Sequence, residues 1–315
     1  MYRLLSLLAC SFLPAAAWGA DARSCWLRDA VTPARNTTYA LCQQGDVLVT
    51  TDGGAKWTTN ATGAAGLLRA IAFPTANRGF VVGDGGAVLM TEDGARTWKK
   101  IDAGTNENLL AIQMAGDAAW ISGFDGVILH STDGGRTWAR QNSGVTQAIE
   151  SLYFADADHG WGAGWAGTIL LTSNGGKTWR QIHCDAAAWS LSSVYFRNLT
   201  EGWIAGFGGQ LLRSSDGGAT WTAINTGVKG WHTSVRMDSA GRVWVTADNR
   251  LLLLSEDNGS HWRQVTVDNT IFVNRLASAG NALMVLGPFG MMRQQSSGVD
   301  WKRVENPFVG DSDTR

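Results

Sequence analysis

Beyond its first twenty residues the chain has no apolar run long enough to cross a membrane, and glycine interrupts nearly every segment before a ten-residue helix could form. Charge is sparse: 26 Lys and Arg against 27 Asp and Glu leave a net charge of −1. That balance excludes the basic face on which nucleic-acid binding depends. Four cysteines are too few for a disulfide-dense scaffold, and there is neither a Cys-x-x-Cys nor a spaced His/Cys set for zinc. Gly-x-Ser-x-Gly and His-Glu-x-x-His are missing too, which removes the nucleophile elbow and the zinc-hydrolase helix.

What the chain has in excess is tryptophan in step. Trp57, Trp98, Trp138, Trp179, Trp221, Trp262 and Trp301 follow one another at intervals of 39 to 42 residues. A period near 40 means one supersecondary unit copied along the chain, each copy unable to bury its apolar face alone. The first six Trp close a common phrase, as in Ser131-Thr132-Asp133-Gly134-Gly135-Arg136-Thr137-Trp138. Its hydroxyl residue and its Asp (Asn174 in the fourth copy) can bond nearby backbone, and Gly supplies positive φ, so the phrase predicts a self-bonded hairpin turn with Trp as its hydrophobic plug.

Eighteen residues before each Trp a second register recurs: Tyr39, Phe80, Trp120, Trp161, Trp203, Trp244 and Leu283. It falls in a strand such as Gly202-Trp203-Ile204-Ala205-Gly206, and an apolar stretch such as Ser193-Val194-Tyr195-Phe196 precedes it. Each repeat is therefore four short strands with Gly-rich turns. Seven such units predict an all-β, seven-bladed β-propeller of four-stranded blades over residues 25–305. Its core is expected to hold the −18 register, the preceding apolar strands and the turn Trp residues.

Residues 1–20 read as a cleavable signal peptide: one charge at Arg3, an apolar stretch from Leu4 to Leu13, then small residues to Ala20. This predicts a periplasmic or otherwise exported protein that does not span the membrane, with a polar C-terminal tail at 306–315. Oxidising surroundings permit a disulfide. Cys25 opens the first blade and Cys42 takes the place of Gly83, Gly123, Gly164 and Gly206 in other blades, so a Cys25–Cys42 bond would staple the N-terminal strand; three free thiols are the alternative.

Several segments imitate chemistry. Gly162-Ala163-Gly164-Trp165-Ala166-Gly167 fits a dinucleotide-binding pattern by letter, but a strand follows where that mechanism needs a helix N-terminus. Asp156-Ala157-Asp158 lacks the closing Glu of a calcium loop, and successive residues His183-Cys184-Asp185 point to opposite sides of a strand. No cofactor and no metal is expected.

The turn phrase is the Asp-box, or bacterial neuraminidase repeat. The sialidases that share it use a Tyr nucleophile, yet Tyr39, Tyr153 and Tyr195 all occupy repeat positions here. Taken together, the registers resemble the photosystem II stability/assembly factor family and its relatives in non-photosynthetic bacteria. The segment from Gly160-Trp161-Gly162 through Ile169-Leu170-Leu171 to Asn174-Gly175-Gly176-Lys177-Thr178-Trp179 carries the family signature nearly whole. The resemblance implies a non-catalytic, monomeric scaffold that steadies a membrane-protein client, either a photosystem subunit or a transporter or envelope complex. The alternative is an Asp-box carbohydrate-active hydrolase with a carboxylate pair such as Asp84 and Asp125.

Fourteen residues before each Trp lies the tip of the Gly-rich turn, held by Asp84, Phe124, Trp165, Phe207 and Asp248 in blades two to six. Trp189 and Trp231 lie in the connections entering blades five and six, and Phe289 near the seventh turn. Aromatic rings at three successive tips predict an apolar patch where the client docks, with Asp84 and Asp248 at its rim; alternatively the rings fold inward and plug the channel.

Overall fold

The computed structural model describes residues 25–248, 250–267, 273–279, 282–288, 290–295 and 298–304. The signal segment 1–20, the tail 306–315 and Phe289 lie outside the described residues.

Seven antiparallel four-stranded sheets form the blades of a β-propeller, and in each the strands pair in chain order. Blade one consists of Leu27–Ala34, Thr37–Cys42, Asp46–Thr50 and Thr58–Ala61. The seventh consists of Arg275–Ala279, Ala282–Gly287, Gly290–Gln294 and Trp301–Val304. The first strand of every blade packs beside the first strand of the next, and Leu27–Ala34 beside Arg275–Ala279, so the ring is closed around a central channel. Among the described residues no strand is exchanged across the seam.

The apolar side chains divide into seven clusters, each drawn from two neighbouring blades. The −18 register occupies the centre of these clusters and is buried throughout. Its rings stack on the first strand of the next blade, with Tyr39 on Phe73 at 3.7 Å, Trp120 on Phe154 at 3.6 Å and Trp161 on Phe196 at 3.7 Å.

The turn Trp residues differ from the expectation of core plugs. Trp221 is buried, whereas the other six are only half-buried. They enter or adjoin the outermost strand of a blade, so one ring face has no further strand beyond it. The other face stands edge-on to a core ring, as in Trp98–Phe73, Trp179–Phe154, Trp262–Trp203 and Trp301–Trp244.

Each of the first six turns closes on its own side chains. In the third blade the Ser131 hydroxyl donates to Asp133 Oδ1 at 2.7 Å and accepts the Gly135 N–H at 2.8 Å. Asp133 in turn accepts the Arg136 and Thr137 N–H groups at 2.9 and 3.0 Å and the Thr137 hydroxyl at 2.6 Å. These donors, the Thr137 hydroxyl foremost, hold the Asp133 carboxyl well below the usual range, and the same arrangement brings Asp93 to about 2. Backbone bonds such as Gly134 N–H to Asp117 carbonyl and Gly175 N–H to Asp158 carbonyl tie these turns to the first-hairpin turns, which fixes one face of the disc.

Candidate functional site

The opposite face carries the Gly-rich turns and the inter-blade connections. In blades two to five the Gly-rich turn is a two-residue hairpin with both central residues left-handed, the geometry that matches strand twist. In blade four Ala166 and Gly167 have φ of 52° and 69°, and the Thr168 N–H bonds the Trp165 carbonyl at 3.1 Å. The residue before these two is the tip. Its N–H bonds the carbonyl just ahead of the first strand, as Asp84 does to Leu67, Phe124 to Asn108, Trp165 to Ala148 and Phe207 to Ser190. That pairing presses the preceding residue against the same carbonyl, where a Cβ on Gly164 would collide with Ala148 O. The glycine is there for space, since its own φ is extended at −163°.

With their backbones pinned this way, the tip side chains project from the face. Trp165 is 38%, Phe207 45% and Trp189 57% exposed, while Phe124 and Trp231 are half-buried. The rings form two groups. Phe124 lies against Trp165 at 5.4 Å, and Phe207 stands between Trp189 at 6.0 Å and Trp231 at 6.2 Å. The Gly167 N–H bonds the Trp189 carbonyl at 2.8 Å and so ties the two groups together. Polar anchors fix two of the indoles, with Trp165 Nε1 donating to Glu150 at 2.6 Å and Trp231 Nε1 to the Ser192 hydroxyl. None of these rings lines the cavity in the channel.

The two acids expected at the rim behave differently. Asp84 is held by Arg69, whose Nε and Nη2 donate to its two oxygens at 2.8 and 3.1 Å. Asp248 is exposed and accepts the Trp231 N–H at 2.7 Å. Asp125, with φ of 52°, is exposed at the third blade's turn. Cys25 and Cys42 are joined by a disulfide with Cα atoms 5.1 Å apart, and Cys184 is a half-buried free thiol. Among the described residues no group of three or more His, Cys, Asp or Glu could hold a metal, and no helix is long and apolar enough to cross a membrane.

Sequence reasoning missed Trp26 on this face. It is 45% exposed, and its carbonyl accepts the N–H of the blade-one tip, Gln43, at 2.8 Å. Four of the five large apolar side chains exposed among the described residues, namely Trp26, Trp165, Trp189 and Phe207, thus share one face; Leu199 is on the other. The missed signal was positional, since Trp26 stands just ahead of a first strand, as Trp231 does.

Residues 64–143 and 141–230 match the profile of the photosynthesis system II assembly factor YCF48 family, together more than half of the chain. Among solved structures the chain is similar to YCF48 bound to D1 peptide, with 17% identity and a TM-score of 0.71 over 86% of this chain and 91% of that one. It is also similar to YCF48 from Cyanidioschyzon merolae, with 18% identity and a TM-score of 0.70 over 87% and 96%. The GH74 xyloglucanase from Xanthomonas campestris shares the fold at 15% identity and a TM-score of 0.72, over 89% of this chain and 54% of that one. No curated protein matches the chain at a significant level.

Proposed function

The chain belongs to the photosynthesis system II assembly factor YCF48 family, and from that membership we propose that it is an exported, non-catalytic assembly factor that binds a membrane-protein client through its aromatic face. The observation that carries this reading is the gathering of Trp26, Trp165, Trp189 and Phe207 on one side of the disc. Exposed aromatic rings on rigid backbone lose little conformational freedom on docking and desolvate a large area, which is what an interface centre needs. A relative of the same fold has been captured with a peptide of D1, which supports a polypeptide client here. The signal-like N-terminus supports an encounter outside the cytoplasm, on the exported side of a photosystem subunit, transporter or envelope complex.

A hydrolase reading has less support. The likeness to the xyloglucanase is one of fold alone, and Asp84, the carboxylate that reading needs, is paired with Arg69. The test is a photo-crosslinking residue in place of Trp189 in the full exported chain. It should capture one integral membrane protein, and Trp165→Ala with Phe207→Ala should abolish the capture while leaving Tm within a few degrees. Undiminished capture by that double variant, or glycoside turnover lost in Asp84→Asn, overturns the proposal.

A further inference from the structure

A cavity of about 610 Å³ occupies the channel and extends to Pro74 and Gly116, beside the first-hairpin turns on the face opposite the aromatic rings. Its wall has a level defined by strand register. The residue directly across the first hairpin from the −18 position is Val31 in blade one and Ala72 in blade two. In blades three to seven it is Gln113, Tyr153, Tyr195, Arg236 and Ser278. All of them line the cavity, so one arc of the ring is polar and the remainder apolar.

The polar arc is rich in unused donors. Arg236 Nη1 donates to the Val235 carbonyl at 2.7 Å and to the Ser193 hydroxyl at 3.2 Å. Among the described residues its Nε and Nη2 have no acceptor, and no carboxylate is within ion-pairing distance. The Tyr195 ring lies 5.7 Å from this guanidinium, and Tyr153 lies edge-on to Tyr195 at 5.3 Å. Neither phenol hydroxyl has a hydrogen-bond partner among the described residues, and both residues line the cavity. The nearby Asp29 is already taken by Arg275 and by the Ala30 and Ile71 N–H groups. Two guanidinium charges against one carboxylate leave a single positive charge in the channel. Burial lowers Arg236 to about 10 and raises Tyr153 to about 12, so at neutral pH the first stays charged and the second stays a donor.

We propose that the channel binds a carboxylate, held by the Nε/Nη2 edge of Arg236 and the hydroxyls of Tyr153 and Tyr195, with the ligand's apolar body toward Val31, Ala72 and Phe73. The free guanidinium edge presents two parallel N–H groups, the geometry a carboxylate accepts bidentately. A single excess charge matches a monoanion better than a phosphate dianion, and the volume suits a small organic molecule or the end of a peptide. Both sources offer the same carboxylate. This site stands apart from the client-binding face and does not depend on it.

The test is calorimetric titration and thermal shift of the full chain with benzoate and phenylacetate, their amides, and a short peptide with a free or an amidated C-terminus. Carboxylates should bind and raise Tm while the matching amides do neither; tighter binding of the free acids or of the free-ended peptide then assigns the source. Arg236→Met should weaken carboxylate binding at least tenfold. Tyr153→Phe with Tyr195→Phe, which keeps the rings and the fold, should weaken it several-fold. Equal behaviour of acids and amides, no binding by any carboxylate, or unchanged affinity in the folded Tyr double variant overturns the proposal.

Discussion

Arg275 donates to both carboxylate oxygens of Asp29, from Nε at 2.7 Å and from Nη2 at 3.3 Å, across 246 residues of sequence. The pair joins the first strand of the first blade to the first strand of the last, and Asp29 reaches on to the Ile71 N–H of blade two. Among the described residues no strand crosses this seam, and an apolar cluster and this ion pair join its two sides.

Arg275→Met leaves a carboxylate with little exposure and no cation, so we expect it to cost about 2–3 kcal/mol, below the usual figure for breaking a buried pair because Arg275 is itself partly solvated. Asp29→Asn should cost less, since Arg275 can turn to water in the channel. A double-mutant cycle measured by denaturant unfolding should return a coupling of about 1 kcal/mol or more. Additive single-variant effects would assign the seam to the apolar cluster alone.

Ala166 occupies a left-handed position that Gly85 and Gly208 fill in blades two and five. An L-residue with a Cβ is held there at a cost of about 1 kcal/mol. Ala166→Gly should therefore raise stability by up to about that amount, less the added entropy of the unfolded glycine. Equilibrium unfolding reads the effect. Because the substitution lies beside Trp165 and removes no ring, client capture should persist.

The blade count and the buried −18 side chain of each blade were legible in the sequence because a fixed period reports a repeated environment, and all seven −18 residues share one. The half-exposure of six of the turn Trp residues was not legible, since it follows from their place at the outermost strand of each blade. Nor was the channel. The position occupied by Val31, Ala72, Gln113, Tyr153, Tyr195, Arg236 and Ser278 varies in size and charge, so it makes no register, and only ring closure brings these residues to one wall. The aromatic tips were visible as departures from a glycine-rich turn. Their pairing into two groups depended on inter-blade geometry that no spacing encodes.

His232 is buried on the tip face, with Nδ1 3.2 Å from the Gln210 carbonyl and Nε2 3.4 Å from the Thr226 hydroxyl. Burial pushes its pKa below the usual histidine value. The unfolded chain therefore takes up the proton first as pH falls, and stability that is complete above about pH 6.5 declines as pH drops toward the folded pKa. Tm measured from pH 7.5 to 5 should fall on the acid side. His232→Gln should flatten that slope; an unchanged slope would place the titrating group elsewhere. The turn carboxylates contribute only lower down. Asp93 and Asp257, each held at about 2, supply stability present above about pH 4 and lost as pH approaches 2.

Trp189 and Trp231 are both on the tip face, yet they should respond differently to truncation. Trp189 is mostly exposed and its ring stands edge-on to Phe207, whereas Trp231 is half-buried with its indole anchored on Ser192. Trp189→Ala is expected to move stability by no more than about 0.5 kcal/mol, as surface changes do, while Trp231→Ala should cost at least about 1–2 kcal/mol. Urea unfolding of the two variants decides between a binding ring and a structural one. Equal losses would mean that Trp189 supports the fold.

The disulfide at the start of blade one closes a separation of 17 residues, with both sulfurs buried. In four other blades a glycine stands where Cys42 does, pressed against the carbonyl ahead of the first strand; in blade one the covalent link fastens that same junction. A loop of this length restricts the unfolded chain by about 3 kcal/mol. Cys25→Ser with Cys42→Ser, or full reduction, should lower stability by about that amount, which for a protein of this size is a fall in Tm of several degrees. The effect should be absent when a reductant is added to the double Ser variant, whose one remaining thiol in the described region is Cys184. If reductant lowers Tm equally in both proteins, the bond does not secure the N-terminal blade.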